Sequence, residues 1–165
     1  MVVVGLALTL AGTGAATAAS ARRLMEADDQ RPPAVTRPQA APLWLTPYAT
    51  AANECPGLDP LLLVAIHDIE TGRDPAGEVS SAGAVGPLQF LPDTWARYGT
   101  DANGNGITTA YDLEDALAAA TALLCANGGG SPADVGVAIW NYNHSWQYVA
   151  AVEARVADLH DRMSR

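Results

Sequence analysis

The chain has 165 residues, 49% of them hydrophobic. That is enough for one domain with a real core and lies outside the range of disorder. Nine Arg and no Lys stand against 18 acidic residues, giving a net charge of −9 and a pI near 4.5. This balance argues against nucleic acid or an anionic membrane face as partner, and means that an anionic polymer must be held by cleft contacts.

Residues 1–21 are uncharged and apolar to small, most apolar over Val2-Val3-Val4-Gly5-Leu6-Ala7-Leu8-Thr9-Leu10. Ala16-Thr17-Ala18 and Ala19-Ser20-Ala21 each offer a small-x-small cleavage site. The segment reads as a signal peptide for export, with an uncleaved membrane tether as the rival. No basic residue precedes the apolar run, Arg22-Arg23 follow it, and its many Gly, Thr and Ala make it a weak span. Residues 22–44 carry Pro32-Pro33, Pro38 and Pro42 without an apolar period and are expected to be a linker. The folded domain is expected over residues 45–165.

Thr46-Pro47 predicts a helix start, with a helix to about Glu54 and a break at Cys55-Pro56-Gly57. The next helix has both ends marked. Asp59 can cap it, Pro60 suits its first position, and Gly72 suits a left-handed end. Leu62, Ala65, Ile66 and Ile69 recur at helical spacing. Glu70 follows Leu63 by seven residues and Ile66 by four, so it lies close to the apolar line in the last turn. It has two readings. One is a solvated helix-end residue. The other is a carboxyl whose ionisation is disfavoured by its surroundings, the proton donor that glycosidic cleavage needs. Asp68 and Asp74, close by, read as exposed.

Residues 72–86 read as a loop, followed by a helix from Pro92 to about Gly99. Asp101, Asn103, Asn105 and Gly106 match positions 1, 3, 5 and 6 of a calcium loop, and Ile107 would give a carbonyl at position 7. Position 12 is Asp112, shorter than the usual Glu, so any calcium is expected to bind weakly and structurally. The rival reading is an Asn/Gly turn capping the next helix. That helix runs from Asp112 or Leu113 to Cys125 and stops at Asn127-Gly128-Gly129-Gly130. A further helix starts at Ser131-Pro132-Ala133-Asp134 and ends about Asn143, and a last one covers Trp146 to Met163. No alternating pattern of useful length occurs, so the fold is expected to be mainly α. Cys55 and Cys125 are expected to pair in an exported chain, the alternative being two buried thiols. His67 is expected to be a satisfied structural histidine.

Three blocks carry a resemblance: Glu70-Thr71-Gly72, then Gly86-Pro87-Leu88-Gln89-Phe90-Leu91-Pro92-Asp93-Thr94-Trp95, then Trp140-Asn141-Tyr142-Asn143-His144-Ser145-Trp146-Gln147-Tyr148. In this order they resemble the lytic transglycosylases, lysozyme-like enzymes that cut the glycan of peptidoglycan, and most of all the membrane-bound lytic transglycosylase B type and its actinobacterial relatives. The resemblance covers roughly Thr46 to Val156, with Thr71 where many relatives carry Ser. It implies a goose-type, lysozyme-like helical domain with little or no sheet, one Glu acting as acid and then base, and a 1,6-anhydro product. By resemblance Glu70 is the catalytic acid and Tyr142 orients it or stabilises developing charge. Ser81 (or Ser80), Gly86, Gln89, Phe90, Asn143 and Ser145 would meet substrate. Some relatives hold calcium in a loop like Asp101–Asp112, which implies that Asp101, Asn103, Asn105, Ile107 and Asp112 would be its ligand set here, beside the turn reading. The chemistry itself requires no cofactor. The partner implied is a peptidoglycan strand, met outside the cell or in the wall by a monomer. Two rivals remain: a goose-type lysozyme that hydrolyses the bond, and a wall-binding module without activity.

Overall fold

The computed structural model describes residues 41–74 and 79–165. The expected signal peptide, and the expected linker up to residue 40, lie outside them. Residues Ala41–Arg165 make one compact unit. A 3-10 turn at Leu43–Leu45 precedes six helices: α1 Thr46–Ala52, α2 Pro60–Thr71, α3 Pro92–Tyr98, α4 Leu113–Ala126, α5 Val135–Asn143 and α6 Trp146–Met163. The 3-10 turn begins two residues before the expected domain start at residue 45. In that turn Trp44 carries the Arg73 guanidinium 5.1 Å over its ring. Among the described residues the one β feature is an isolated bridge between Val85 and Phe90, so the mainly α expectation holds.

Helix α2 is the axis of the fold. Asp59 caps it, its side chain accepting from Leu61 N at 2.9 Å, and Gly72 ends it with φ 66°. Every residue from Leu61 to His67 is buried. The helix is therefore apolar around its whole girth until its last turn, as a helix wrapped by others must be. Ile69 departs from the expected stripe, because neighbours thin out at that end; it is 38% exposed. Each fully buried Leu or Ile contributes about 1.5–3 kcal/mol, and Leu63 and Ile66 are both fully buried.

The wrapping follows from composition. Helix α4 brings Ala116, Ala119 and Ala120 to the core, small side chains that let backbones approach. Helix α6 lays Val149, Val152, Val156 and Leu159 against the interior at three- and four-residue spacing, and its contact with α2 is the most extensive in the fold. Cys55 and Cys125 form a disulfide with Cα atoms 5.7 Å apart, tying the approach to α2 to the end of α4. His67 is structural, as expected. Tyr48 OH donates to its Nδ1 at 2.8 Å and its Nε2 donates to Asp74 O at 3.2 Å. Burial lowers its pKa, so the neutral ring can serve as donor and acceptor at once.

Candidate active site

Glu70 sits in the last turn of α2, where the core opens. Burial raises its carboxyl above the ordinary value, and a hydrogen bond from Tyr148 pulls the other way without cancelling the rise. Tyr148 OH donates to Glu70 Oε1 at 2.6 Å. Burial and the neighbouring carboxyl push the hydroxyls of Tyr142 and Tyr148 well above the usual tyrosine value. Both therefore stay protonated and act as donors.

The resemblance gave Tyr142 the task of orienting the acid or of stabilising developing charge. The hydroxyl that touches Glu70 is instead that of Tyr148. Tyr142 OH donates to Leu88 O at 2.7 Å, and its ring stacks parallel to Tyr148 with centroids 6.4 Å apart. Tyr142 thus supports the orienting tyrosine and pins the turn that carries Gln89. The reason lies in the two helices. Tyr142 closes α5, whereas Tyr148 opens α6, the helix that lies along α2.

That turn is built from Gly86-Pro87-Leu88-Gln89. Val85 and Phe90 exchange both backbone hydrogen bonds at 2.9 Å, and Gln89 N closes on Gly86 O at 3.1 Å. Gly86 is buried with φ 76°, and a Cβ there would lie 1.8 Å from Ala110 O. It serves the backbone crossing there, and being buried it presents no open face to the cleft. Gln89 adopts φ 48°, a left-handed conformation unusual for a residue with a side chain, and its Nε2 donates to Gly86 O at 2.9 Å. Thr71 Oγ1 donates to Pro87 O at 3.0 Å. The hydroxyl after the acid thereby ties the end of α2 to this turn, a task that Ser or Thr can do equally.

A cleft of about 260 Å³ is lined by Glu70, Thr71, Asp74, Val79, Ser80 and Gln89. It brings together the acid and the expected Gln89. Other predicted residues fall elsewhere. Ser81 is exposed in a turn and Ser80 lines the cleft instead. Phe90 is 2% exposed: it packs edge-on against Trp95 at 5.5 Å and Tyr142 at 6.0 Å. The bridge to Val85 turns it inward, so it backs the groove rather than lining it. Asn143 is exposed at the end of α5. Ser145 caps α6, its Oγ accepting from Tyr148 N at 3.3 Å. Asp68, expected to be exposed, takes hydrogen bonds from Arg73 and Arg155. Burial alone would raise its pKa, but the two arginines outweigh it and hold the carboxyl below the usual range. Larger hollows, of about 580 and 390 Å³, do not include Glu70.

The Asp101–Asp112 loop is ordered by its own side chains. Asp101 accepts from the amides of Gly104, Asn105 and Gly106 at 2.8–3.1 Å. Asn103 and Asn105 each accept from the amide two residues on, and Asn103 Nδ2 donates to Asp112 Oδ2 at 2.9 Å. Asp112 Oδ1 caps α4. Asp115, missed in the sequence, is fully buried and joins the two ends of the loop by accepting from Ala102 N and Thr109 N at 2.8 and 3.0 Å. The donors are all oxygens, as a hard cation requires. Only two of the five are carboxylates, and among the described residues no group of three or more acidic, His or Cys side chains converges.

Residues 60–138 match the family model of the transglycosylase SLT domain. The match takes in Glu70, Gln89 and the Asp101–Asp112 loop, and ends before Tyr142 and Tyr148. Among solved structures, the Escherichia coli lytic transglycosylase Slt35 in complex with bulgecin A is similar at TM-score 0.57 and 18% identity, over 89% of this chain and 84% of that one. Slt35 in complex with calcium gives TM-score 0.56 at 18% identity over the same shares. A 36 kDa muramidase/transglycosylase gives TM-score 0.56 at 16% identity over 74% of each chain. At these identities the structures establish a shared, mainly α fold and no more. A search of curated proteins gives no match.

Proposed function

We propose that this chain is a peptidoglycan lytic transglycosylase that cleaves the MurNAc-β-1,4-GlcNAc bond and leaves a 1,6-anhydro-MurNAc end. One observation carries the reading: a carboxyl with a raised pKa at the end of α2, held by a protonated tyrosine in a cleft shared with Gln89. The SLT-domain match supports the substrate class.

Glu70 donates its proton to the GlcNAc oxygen as the bond to MurNAc C1 breaks. The MurNAc acetamide oxygen stabilises the cation at C1. Glu70, now ionised and still bonded to Tyr148, takes the proton of the MurNAc C6 hydroxyl, and O6 closes on C1. Atoms and charge balance, and water is not consumed. Such a path needs one carboxyl, whereas the usual hydrolytic paths need two flanking the bond. Gln89 supports the reading as an amide at the cleft wall able to bond an N-acetyl group.

Asp74 lines the same cleft and favours a second reading, a goose-type lysozyme in which a second carboxylate activates water. Product analysis on purified peptidoglycan separates the two. Anhydro ends, each lighter by one water than a reducing end, support the transglycosylase. Reducing ends alone sink it. No product from the folded chain leaves the wall-binding module, and full activity of Glu70→Gln removes the site assignment.

Calcium held by Asp101, Asn103, Asn105, the Ile107 carbonyl and Asp112 is part of the proposal, as a stabiliser of the loop. The substrate puts the working chain, acting as a monomer, outside the cytoplasmic membrane, exported by its first 21 residues or tethered through them. No helix among the described residues is long and apolar enough to cross a membrane.

A further inference from the structure

Three polar cross-links run along the seam between α2 and α6. Tyr148 OH meets Glu70 at 2.6 Å, Arg155 Nε meets Asp68 at 2.7 Å, and His160 Nε2 meets Asp59 at 2.6 Å. In each, the acid lies on α2 or its cap and its partner lies on α6. The pairs run in antiparallel order along the two helices. The outermost is exposed on both sides, at 58% and 37%, where an ion pair contributes little. The middle one is sheltered: the Asp68 side chain is 13% exposed and that of Arg155 is 25%. It is also braced from both ends. Asp68 accepts from Arg73, whose guanidinium lies over Trp44, and Arg155 donates to Asp158.

The apolar part of the seam is Val149, Val152, Val156 and Leu159 on the α6 side. Aliphatic contacts of this kind are non-directional, whereas a charged hydrogen bond at 2.7 Å fixes one atom against another. Tyr148 and Arg155 are seven residues apart, two turns along one face of α6. A slip at Arg155 is therefore transmitted along a rigid rod to Tyr148.

We propose that Arg155, acting through Asp68, is a positioning residue that fixes the register of α6 on α2 and so holds the Tyr148 hydroxyl on Glu70. This inference rests on the reading of Glu70 as the reacting acid. The titratable groups around Glu70 among the described residues are Tyr148 from α6, Tyr142 from α5 and Asp74 on the same cleft, with Asp68 two residues back on its own helix. The tyrosines remain protonated, so Tyr148 always donates, and its bond favours the ionised carboxylate. Loosening that bond moves the Glu70 titration to higher pH.

The test titrates the Glu70 side-chain carboxyl carbon by NMR in the full chain. The informative variant is the double replacement Asp68→Asn/Arg155→Gln. It removes the pair without changing net charge. Tyr148→Phe sets the scale, at about 1 pH unit upward for a lost hydrogen bond to a charged group. The double variant is expected to move the titration in the same direction by about half as much. Arg155→Lys keeps the charge but not the planar fork, and is expected to shift it less. Arg165→Gln, on an exposed pair at the end of α6, is expected to leave it unmoved. A folded double variant with the wild-type titration overturns the inference. If the double variant does not fold, Arg155→Lys decides by the same criterion. Product release from peptidoglycan is measured alongside. A wild-type chain without products sinks the functional reading and leaves the titration to be judged by itself. Products with an unmoved titration sink this inference alone.

Discussion

Replacing Gly86 by Ala tests the construction of the site most directly. Gly86 and Gly83 have nearly the same backbone, φ 76° and 79°, but different surroundings. A Cβ on Gly83 meets nothing within 4 Å, whereas one on Gly86 lies 1.8 Å from Ala110 O and 2.6 Å from its carbon. Gly83→Ala therefore measures the left-handed conformation alone, about 1 kcal/mol. Gly86→Ala adds a clash with backbone that must retreat by more than an ångström to reach ordinary contact. Overpacking of this kind costs about 1–3 kcal/mol. The displaced turn also carries the Leu88 carbonyl that receives Tyr142, a bond contributing about 1 kcal/mol. The expected loss is about 3–5 kcal/mol, a large share of a domain's usual 5–15. Urea unfolding of both variants at neutral pH reads the difference. Equal midpoints for the two alanines would refute the reasoning, because they would mean that the Gly86 backbone has room that the structure denies it.

Glu70→Gln should abolish product formation, and its effect on stability should depend on pH. Because the folded-state pKa of Glu70 is raised, its contribution is fully present below the ordinary Glu value, about 4.3, and is lost as pH rises through the folded value. The variant should accordingly match wild type in acid and exceed it at neutral pH in thermal melts; a variant less stable than wild type only at neutral pH would contradict this. Removal of the disulfide by Cys55→Ala/Cys125→Ala, which opens a 70-residue loop, should lower stability by about 4 kcal/mol in the chain-entropy account, read by urea titration. Calcium at millimolar levels should raise the melting temperature of the wild type, given that weak loops of this kind bind at about 0.1–1 mM. Asp101→Asn should remove that rise, and a rise that persists in the variant would place the ion elsewhere.

The parts legible in the sequence were those written in local spacing. Asp59, Pro60 and Gly72 bound α2 because caps act within a few residues, and the last helix runs from Trp146 to Met163 as its pattern predicts. Glu70 could be singled out because seven- and four-residue spacings locate a side chain on a helix. What stayed hidden depends on which helices meet. Tyr148 lies 78 residues from Glu70, and nothing local says that α6 lies along α2. A signal was present, since Tyr148 is four residues before the buried Val152 and so stands at the edge of the apolar stripe, where a hydroxyl needs a partner. Phe90 and Gln89 are neighbours that look alike as groove residues, yet the Val85 bridge sends one inward and leaves the other at the cleft. Asp68 looked solvated because both of its arginines are supplied from outside its own helix.

The position of Tyr148 near the C-terminal side has a consequence for synthesis. A chain made from its N-terminus presents Glu70 early, and both cysteines are out before α6 exists. Pairing of the two cysteines does not wait on α6, because neither lies on it. Until α6 docks, the Glu70 carboxyl lacks the hydroxyl that holds it.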